Sequence, residues 1–212
     1  NKMLISEFNK IISNEIKDQP TPFIYERLGE KFKHYFIDEF QDTSQLQWEN
    51  LVPLLDNALS AANGSTMLVG DAKQAIYRWR GGEAEQFINL YNTSENPFQI
   101  EAEVLALDTN YRSAKEIINF NNSFFKFLSD HHFSLLNYAE LYQNANQKTH
   151  NISEGYVNLN FLDIQKEDDA SELYASQVLE TINKCVANGF SLDDICVLVR
   201  KRKEGVIIAN YL

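Results

Sequence analysis

Two cysteines in 212 residues are too few to build a disulfide framework. Cys185 and Cys196 both fall in apolar-periodic stretches, so they are expected to be reduced, buried small hydrophobes, as in a cytoplasmic protein. Basic residues are outnumbered, 19 to 30, and the net charge of -11 excludes indiscriminate binding to polyanions. Affinity for phosphate comes from clustered Lys and Arg, so any contact with nucleic acid must be local and led by stacking. No apolar run is long enough to span a bilayer, and Lys2 leads into an amphipathic segment, not a signal peptide. The eight glycines include no pair with the spacing G-x-x-x-x-G-K-[ST], so the loop that cradles phosphates with backbone N–H groups is absent from these residues. His131, His132 and His150 lack partners at metal-ligand spacing and read as loop residues.

What is present is alternation. Leu4, Ile5, Phe8, Ile11, Ile12 and Ile16 recur at helical spacing, which predicts an amphipathic helix over residues 3–17, ended by Pro20 and Pro22. A short second helix over 23–32 feeds an apolar run, Tyr35 to Ile37. Thr43 or Ser44 can cap a helix whose buried stripe is Trp48, Leu51, Val52, Leu55 and Leu59, with Pro53 kinking it. Residues 57–65 read as a loop, and Glu83 to Tyr91 as a short helix. The polar, proline-ended stretch from Asn92 to Pro97 is the best domain boundary. Ser113 to Glu116 has the pattern of a capping box, opening a helix through Leu128. Residues 129–155 read as a surface excursion. Tyr156 to Leu162 and Ile195 to Val199 are expected strands, separated by a helix from Asp168 to Val186, and the chain from Lys201 onward is helical. Strands alternating with helices define an α/β fold.

Three apolar runs each end in an acid and a different polar cassette. Tyr35 to Ile37 delivers Asp38 and Glu39. Thr66 to Gly70 delivers Asp71, followed by Lys73, Gln74, Tyr77, Arg78, Trp79, Arg80, Gly81 and Gly82. Glu103 to Leu107 delivers Asp108, then Asn110, Tyr111 and Arg112. Acids at the carboxyl edge of a buried strand lie where ligands of open sheets bind; one can hold a hydrated Mg²⁺ and its neighbour can orient a water. A solvated acid pair is the alternative reading. Tyr77 and Trp79, two apart, would share one face of an extended segment while Arg78 and Arg80 point the other way, so that the rings can take unstacked bases and the arginines phosphate or carboxylate. Trp48, on a helical stripe, reads as core. The basic run Arg200, Lys201, Arg202 and Lys203 reads as a solvated surface.

The cassettes, in this order, resemble motifs II (DEFQDTS), III (GDAKQAIYRWRGG) and IV (TNYRS) of the UvrD/Rep-like superfamily 1 DNA helicases. The wording at Gln47-Trp48 and Leu198-Val-Arg200 resembles the RecB/AddA (exonuclease V) branch. The resemblance implies a RecA-like parallel sheet flanked by helices, in parts of two P-loop NTPase-type domains. Residues 1–97 would be the distal part of the first and 98–212 the beginning of the second. It implies ATP and Mg²⁺ as cofactors, single-stranded DNA as partner with 3′ to 5′ translocation, and nuclease or helicase partner subunits, with no membrane association.

By the same resemblance, Asp38 holds Mg²⁺ through water, Glu39 activates the attacking water, Gln74 senses the γ-phosphate and Arg112 contacts it across a cleft. Tyr77, Trp79, Arg78 and Arg80 face the DNA, while Gln41 and Asp42 are structural or coupling residues. Motifs V and VI are unmatched, like the phosphate loop, so the chain is expected to be an interior piece of a larger motor and inactive alone. The alternative is a non-catalytic single-stranded-DNA-binding or interaction module with a helicase-like fold.

Overall fold

Residues 5–16, 25, 27–28, 31–92, 95–133, 136–165 and 169–212 are described by the computed structural model. The chain divides into two compact units, Asn1–Gly155 and Tyr156–Leu212.

In the first unit, helix α1 (Ile5–Ile16) packs against helix α2 (Gln45–Ser60). Asn50 Nδ2 donates to the Asn9 carbonyl at 3.0 Å, and the Tyr25 hydroxyl donates to the Asn50 carbonyl at 2.5 Å. Half of the expected helix over 23–32 lies outside the described residues. Strand β1 (His34–Ile37) runs parallel to β2 (Ser65–Leu68), in register from His34 opposite Ser65 to Ile37 opposite Leu68. The pairing continues past both strands, through Val69 N–H to the Ile37 carbonyl at 2.8 Å and Phe40 N–H to the Val69 carbonyl at 3.0 Å. Parallel strands need a crossover, and α2 supplies it.

A capping box starts α2: Ser44 Oγ accepts from Gln47 N–H at 3.3 Å, and Gln47 Oε1 accepts from Ser44 N–H at 2.9 Å. The helix runs through Pro53 to Ser60. It turns into β2 at Gly64, where a Cβ would stand 1.7 Å from the Ala58 carbonyl oxygen, so no other residue fits.

Phe40, Trp48 and Leu55 form the buried centre, with Tyr35, Ile37, Leu51, Val52, Leu68, Phe87, Leu90 and Phe98 packed around it. The strands alternate. Tyr35, Ile37 and Leu68 turn to this core, whereas Phe36 and Met67 are 73% and 48% exposed. The strand expected to be buried is therefore covered on one face, because helix packing and core lie on that side of a two-stranded ladder.

Helix α3 (Ala84–Tyr91) buries Ala84 and Ile88. Among the described residues the apolar run from Glu103 to Leu107 forms no ladder, and Leu105 and Leu107 are exposed. Pairing starts only at β3 (Thr109–Asn110), parallel to β4 (Lys148–Thr149). Helix α4 (Lys115–His131) follows, with Ala114 and not Ser113 at its N-cap. The expected capping box does not form because Asn110 Oδ1 takes the N–H groups of Arg112 and Ser113, at 2.9 and 2.8 Å. Glu116 instead accepts from Gly155 N–H at 2.7 Å. The expected excursion over 129–155 contains structure: helix α5 (Leu136–Gln143) packs on α4, the Phe125 and Tyr142 rings stacking at 5.3 Å. Its aromatic residues sit among amides that mask the helical period.

In the second unit, helix α6 (Ala170–Ala187) is capped by Asp169, which accepts from Ser171 N–H, and is left through Gly189 at φ +94°. It packs against α7 (Arg202–Tyr211). The runs 156–162 and 195–199 are not strands, since neither has a ladder partner among the described residues. A strand requires a neighbour to satisfy its backbone. Cys196, in the second run, is consequently exposed and Cys185 half-buried; both are free, not the buried pair expected. Among the described residues no helix is long and apolar enough to cross a membrane.

Replacing Leu55, wholly buried, with Ala is expected to cost about 2–5 kcal/mol in urea unfolding. Phe36→Ser is expected to change stability by no more than about 0.5 kcal/mol. A large Phe36 effect would mean that its face of the ladder is covered in solution.

Candidate functional site

Strand β1 ends by presenting Asp38 and Glu39. Asp38 Oδ1 accepts from Glu39 N–H at 2.9 Å, a short bridge across a backbone that is left-handed at Glu39 (φ 51°, ψ 41°). Non-glycine residues seldom adopt this conformation, and one that does is held there by its surroundings. The holding group is Phe40, fully buried, which begins the turn Phe40–Asp42. Gln41 follows it inward, at 1% exposure. Its Nε2 donates to Glu39 Oε2 at 2.6 Å, and its Oε1 accepts from Asp71 N–H at 3.0 Å.

Asp71 ends the neighbouring strand segment and caps the turn Ala72–Gln74. Asp71 Oδ1 accepts from Lys73 N–H at 3.0 Å and from Lys73 Nζ at 2.6 Å, and Oδ2 accepts from Gln74 Nε2 at 3.0 Å. Burial pushes the Asp71 carboxyl up, but the hydrogen bonds from Lys73 and Gln74 and the lysine charge outweigh it and leave the group below the usual aspartate range. Glu39, Gln41, Asp71, Lys73 and Gln74 thus form one hydrogen-bonded chain across the ends of two parallel strands. A cavity of about 280 Å³ opens beside it, lined by Asp71, Lys73 and Gln74 and by Asn121, Phe125 and Tyr142 of α4 and α5.

The segment after Gln74 departs from the extended geometry expected of it. Arg78–Arg80 is a single helical turn, so Arg80 does not point away from the rings as it would in a strand. The rings of Tyr77 and Trp79 stand 6.3 Å apart. Arg80 joins them, its guanidinium 5.3 Å from the Tyr77 centroid and 4.4 Å from that of Trp79. Trp79 is 72% exposed. Gly81, at φ +88°, closes the turn, and Glu83 N–H reaches the Thr43 carbonyl at 3.3 Å, tying the exit of this segment to the start of α2.

Arg78 points elsewhere. It pairs with Glu85, which also accepts from the Tyr138 hydroxyl at 2.5 Å. The Tyr138 hydrogen bond first, against some desolvation, and then those from Arg78 and Glu83 lower the Glu85 carboxyl to about 2. Glu83 is raised by the hydrogen bond it shares with Glu85. Neither Glu85 nor Tyr138 stands out in the sequence, and the amides of α5 leave no helical period there to mark Tyr138. Arg112 is exposed on the turn between β3 and α4. Its backbone is fixed by Asn110, and its side chain makes no ion pair among the described residues. Tyr111 lies against His150, ring centroids 4.6 Å apart.

Among the described residues no three His, Cys, Asp or Glu side chains gather to hold a metal. The donor chemistry still suits a hydrated Mg²⁺, which keeps several waters and needs one or two carboxylates. Asp38 is exposed, and among the described residues its Oδ1 alone takes a hydrogen bond.

Parallel strands that end in acids, joined through a buried amide, define an α/β protein with its site at the carboxyl edge of the ladder. Residues 2–95 match the UvrD/REP helicase N-terminal domain, and residues 105–212 match the UvrD-like helicase C-terminal domain. The chain belongs to the UvrD-like helicase family. It is 36% identical over 140 residues to an ATP-dependent helicase/nuclease subunit of Listeria monocytogenes, covering 65% of this chain and 11% of that protein. The exonuclease/helicase subunit RexA of Lactococcus lactis is 30% identical over 210 residues, covering 92% and 17%. DNA helicase II of Haemophilus influenzae is 28% identical over 194 residues, covering 90% and 22%. The chain therefore spans from 11% to 22% of the length of these curated relatives.

Glu85, with its carboxyl lowered to about 2, stabilises the fold above its unfolded value of about 4.3. That contribution is lost as pH falls toward 2. The parent chain is expected to melt above Glu85→Gln at neutral pH, with the gap closing between about pH 4.3 and 2. A gap independent of pH in thermal scans would contradict the pairing.

Proposed function

We propose that this chain carries the motif II to motif IV segment of an ATP-dependent DNA helicase or translocase. The protein would be the helicase subunit of a RecB/AddA-type exonuclease V, acting in recombination and repair in the cytoplasm, with nuclease or helicase partner subunits. Residues 1–97 are the distal part of its first RecA-like domain and 98–212 the beginning of its second. The observation that carries the reading is the hydrogen-bonded chain from Glu39 through Gln41 to Asp71 and Gln74. It joins the acid pair of one cassette to the amide of the next, as phosphoryl transfer from a nucleotide requires of groups that must act together.

In this reading Glu39 orients and deprotonates the attacking water, a task for a carboxylate held by a neighbouring donor. Asp38 holds Mg²⁺ through water; the ion, when bound, neutralises phosphate charge. Gln74 senses the γ-phosphate, an amide being able to donate to phosphate and accept from water. Arg112, on its rigid turn, contacts the same phosphate, a contribution that reaches ~10³–10⁵ in rate for such arginines. Tyr77, Trp79 and Arg80 form the single-stranded DNA surface, Arg80 backing the two rings while the exposed indole receives a base. Arg78, engaged by Glu85, adds positive charge at its edge.

Titration of tryptophan fluorescence with a short single-stranded oligonucleotide at low salt is expected to show quenching that disappears in Trp79→Ala, with affinity reduced by about 1–3 kcal/mol. Trp48, 8% exposed, serves as the silent reference. Quenching retained without Trp79 would remove the assigned base contact. The purified chain is expected to show no steady ATP turnover. Turnover abolished by Glu39→Gln would overturn that expectation, whereas DNA binding with no turnover even in the longer protein would favour a non-catalytic module.

A further inference from the structure

Gln41 is the most deeply buried polar side chain beside the acid pair, and both ends of its amide are engaged. A buried amide must be satisfied, and of its two orientations the partners permit only one. Its Nε2 faces the Glu39 carboxylate, an acceptor without protons, and its Oε1 faces the Asp71 N–H, a donor. Flipping the amide would set oxygen against carboxylate and N–H against N–H. The direction of the chain from Glu39 to Asp71 is thereby fixed.

Space enforces the same arrangement. A Cβ on Gly70 would stand 2.6 Å from Gln41 Oε1, 3.1 Å from Phe87 Cε1 and 3.2 Å from the Phe40 nitrogen. The strand end approaches the amide closely enough for the Asp71 hydrogen bond because residue 70 has no side chain. Beyond Asp71 the chain runs on to Lys73 and Gln74 through the carboxylate. A displacement of the 71–74 turn would act on the Asp71 peptide and, through its hydrogen bond, on the Gln41 amide and Glu39.

We infer that Gln41 is a positioning residue, a relay through which the 71–74 turn sets the orientation of the Glu39 carboxylate. Its functional meaning rests on the reading of Glu39 as the water-orienting acid: occupancy at Gln74 or Lys73 is transmitted to that acid through one side-chain amide. An amide that merely filled a polar gap would stabilise the fold without coupling the two loops.

The test is a coupling measurement on the 212-residue chain by ¹⁵N NMR. In the parent, Glu39→Ala is expected to shift the Asp71 backbone amide and the Gln74 side-chain amide resonances. In a Gln41→Met background, which keeps the length and removes both hydrogen bonds, the same Glu39→Ala change is expected to leave them unmoved. Protection of the Asp71 N–H from solvent exchange should also fall on the order of tenfold. Gly70→Ala, which leaves Glu39 and Gln41 in place but wedges the amide from Asp71, is expected to uncouple them in the same way and serves if Gln41→Met does not fold. Responses at Asp71 and Gln74 that persist without the relay, or that are missing in the parent, would overturn it. Hydrolysis plays no part in this readout, so the two failures separate. If Glu39→Gln leaves ATP hydrolysis of the longer protein intact, the assignment of Glu39 falls and the relay stands. If the coupling is missing while Glu39→Gln abolishes hydrolysis, the relay alone falls.

Discussion

Burial of the Phe40 ring is the constraint on which the rest of the first unit depends. It meets Trp48 edge-on at 4.9 Å and Phe87 at 5.5 Å, an aromatic arrangement favoured beyond its buried area. Because Phe40 lies between Glu39 and Gln41, drawing its ring into the core forces the residue before it into a left-handed backbone and carries the residue after it inside. The placement of a polar site is thus set by apolar packing one residue away. The aromatic core also joins parts distant in sequence: Trp48 belongs to the crossover helix, Phe87 to the helix after the arginine turn, and Phe98, 5.9 Å from Trp48, to the loop beyond.

An acidic chain that gathers carboxylates near one strand edge has to manage their repulsion, and four of them are given donors. Asp38 takes a backbone N–H, Glu39 the Gln41 amide, Asp71 the Lys73 and Gln74 side chains, and Glu85 the Tyr138 hydroxyl with Arg78. Lys73 and Arg78 bring positive charge to Asp71 and Glu85, and the remaining donors are neutral amides, an N–H and a hydroxyl. On the neighbouring surface the opposite device appears: Arg80 lies on two aromatic faces without a carboxylate partner among the described residues, presenting positive charge and stacking area together.

Much of the local structure was legible in the sequence because it depends on neighbours in the chain. The helix at the amino end, the Ser44 cap, the short helix after Gly82 and the long helix expected from Asp168 follow from period and capping chemistry. The acids at Asp38, Glu39 and Asp71 stand at strand ends as the apolar runs before them predict. The amide-rich stretch holding Tyr138 and Tyr142 hid a helix because its period is broken by polar residues. Ser113 lost the role of cap because Asn110 reached its N–H first, a competition between two equally plausible local hydrogen bonds.

The sequence by itself determined which cassettes the chain carries, their order, and the chemistry available at each, since these are properties of residue type and short spacing. Only the tertiary structure decided how they meet. Whether an apolar run becomes a strand depends on a partner far along the chain, which Tyr35 to Ile37 finds and Ile195 to Val199, among the described residues, does not. Arg78 could turn to solvent or to Glu85, and the position of α5 chose the latter. The bridge from Glu39 to Asp71 joins residues far apart in the chain, needs a glycine at 70 to close, and exists because parallel pairing brings two strand ends within reach of a single buried amide.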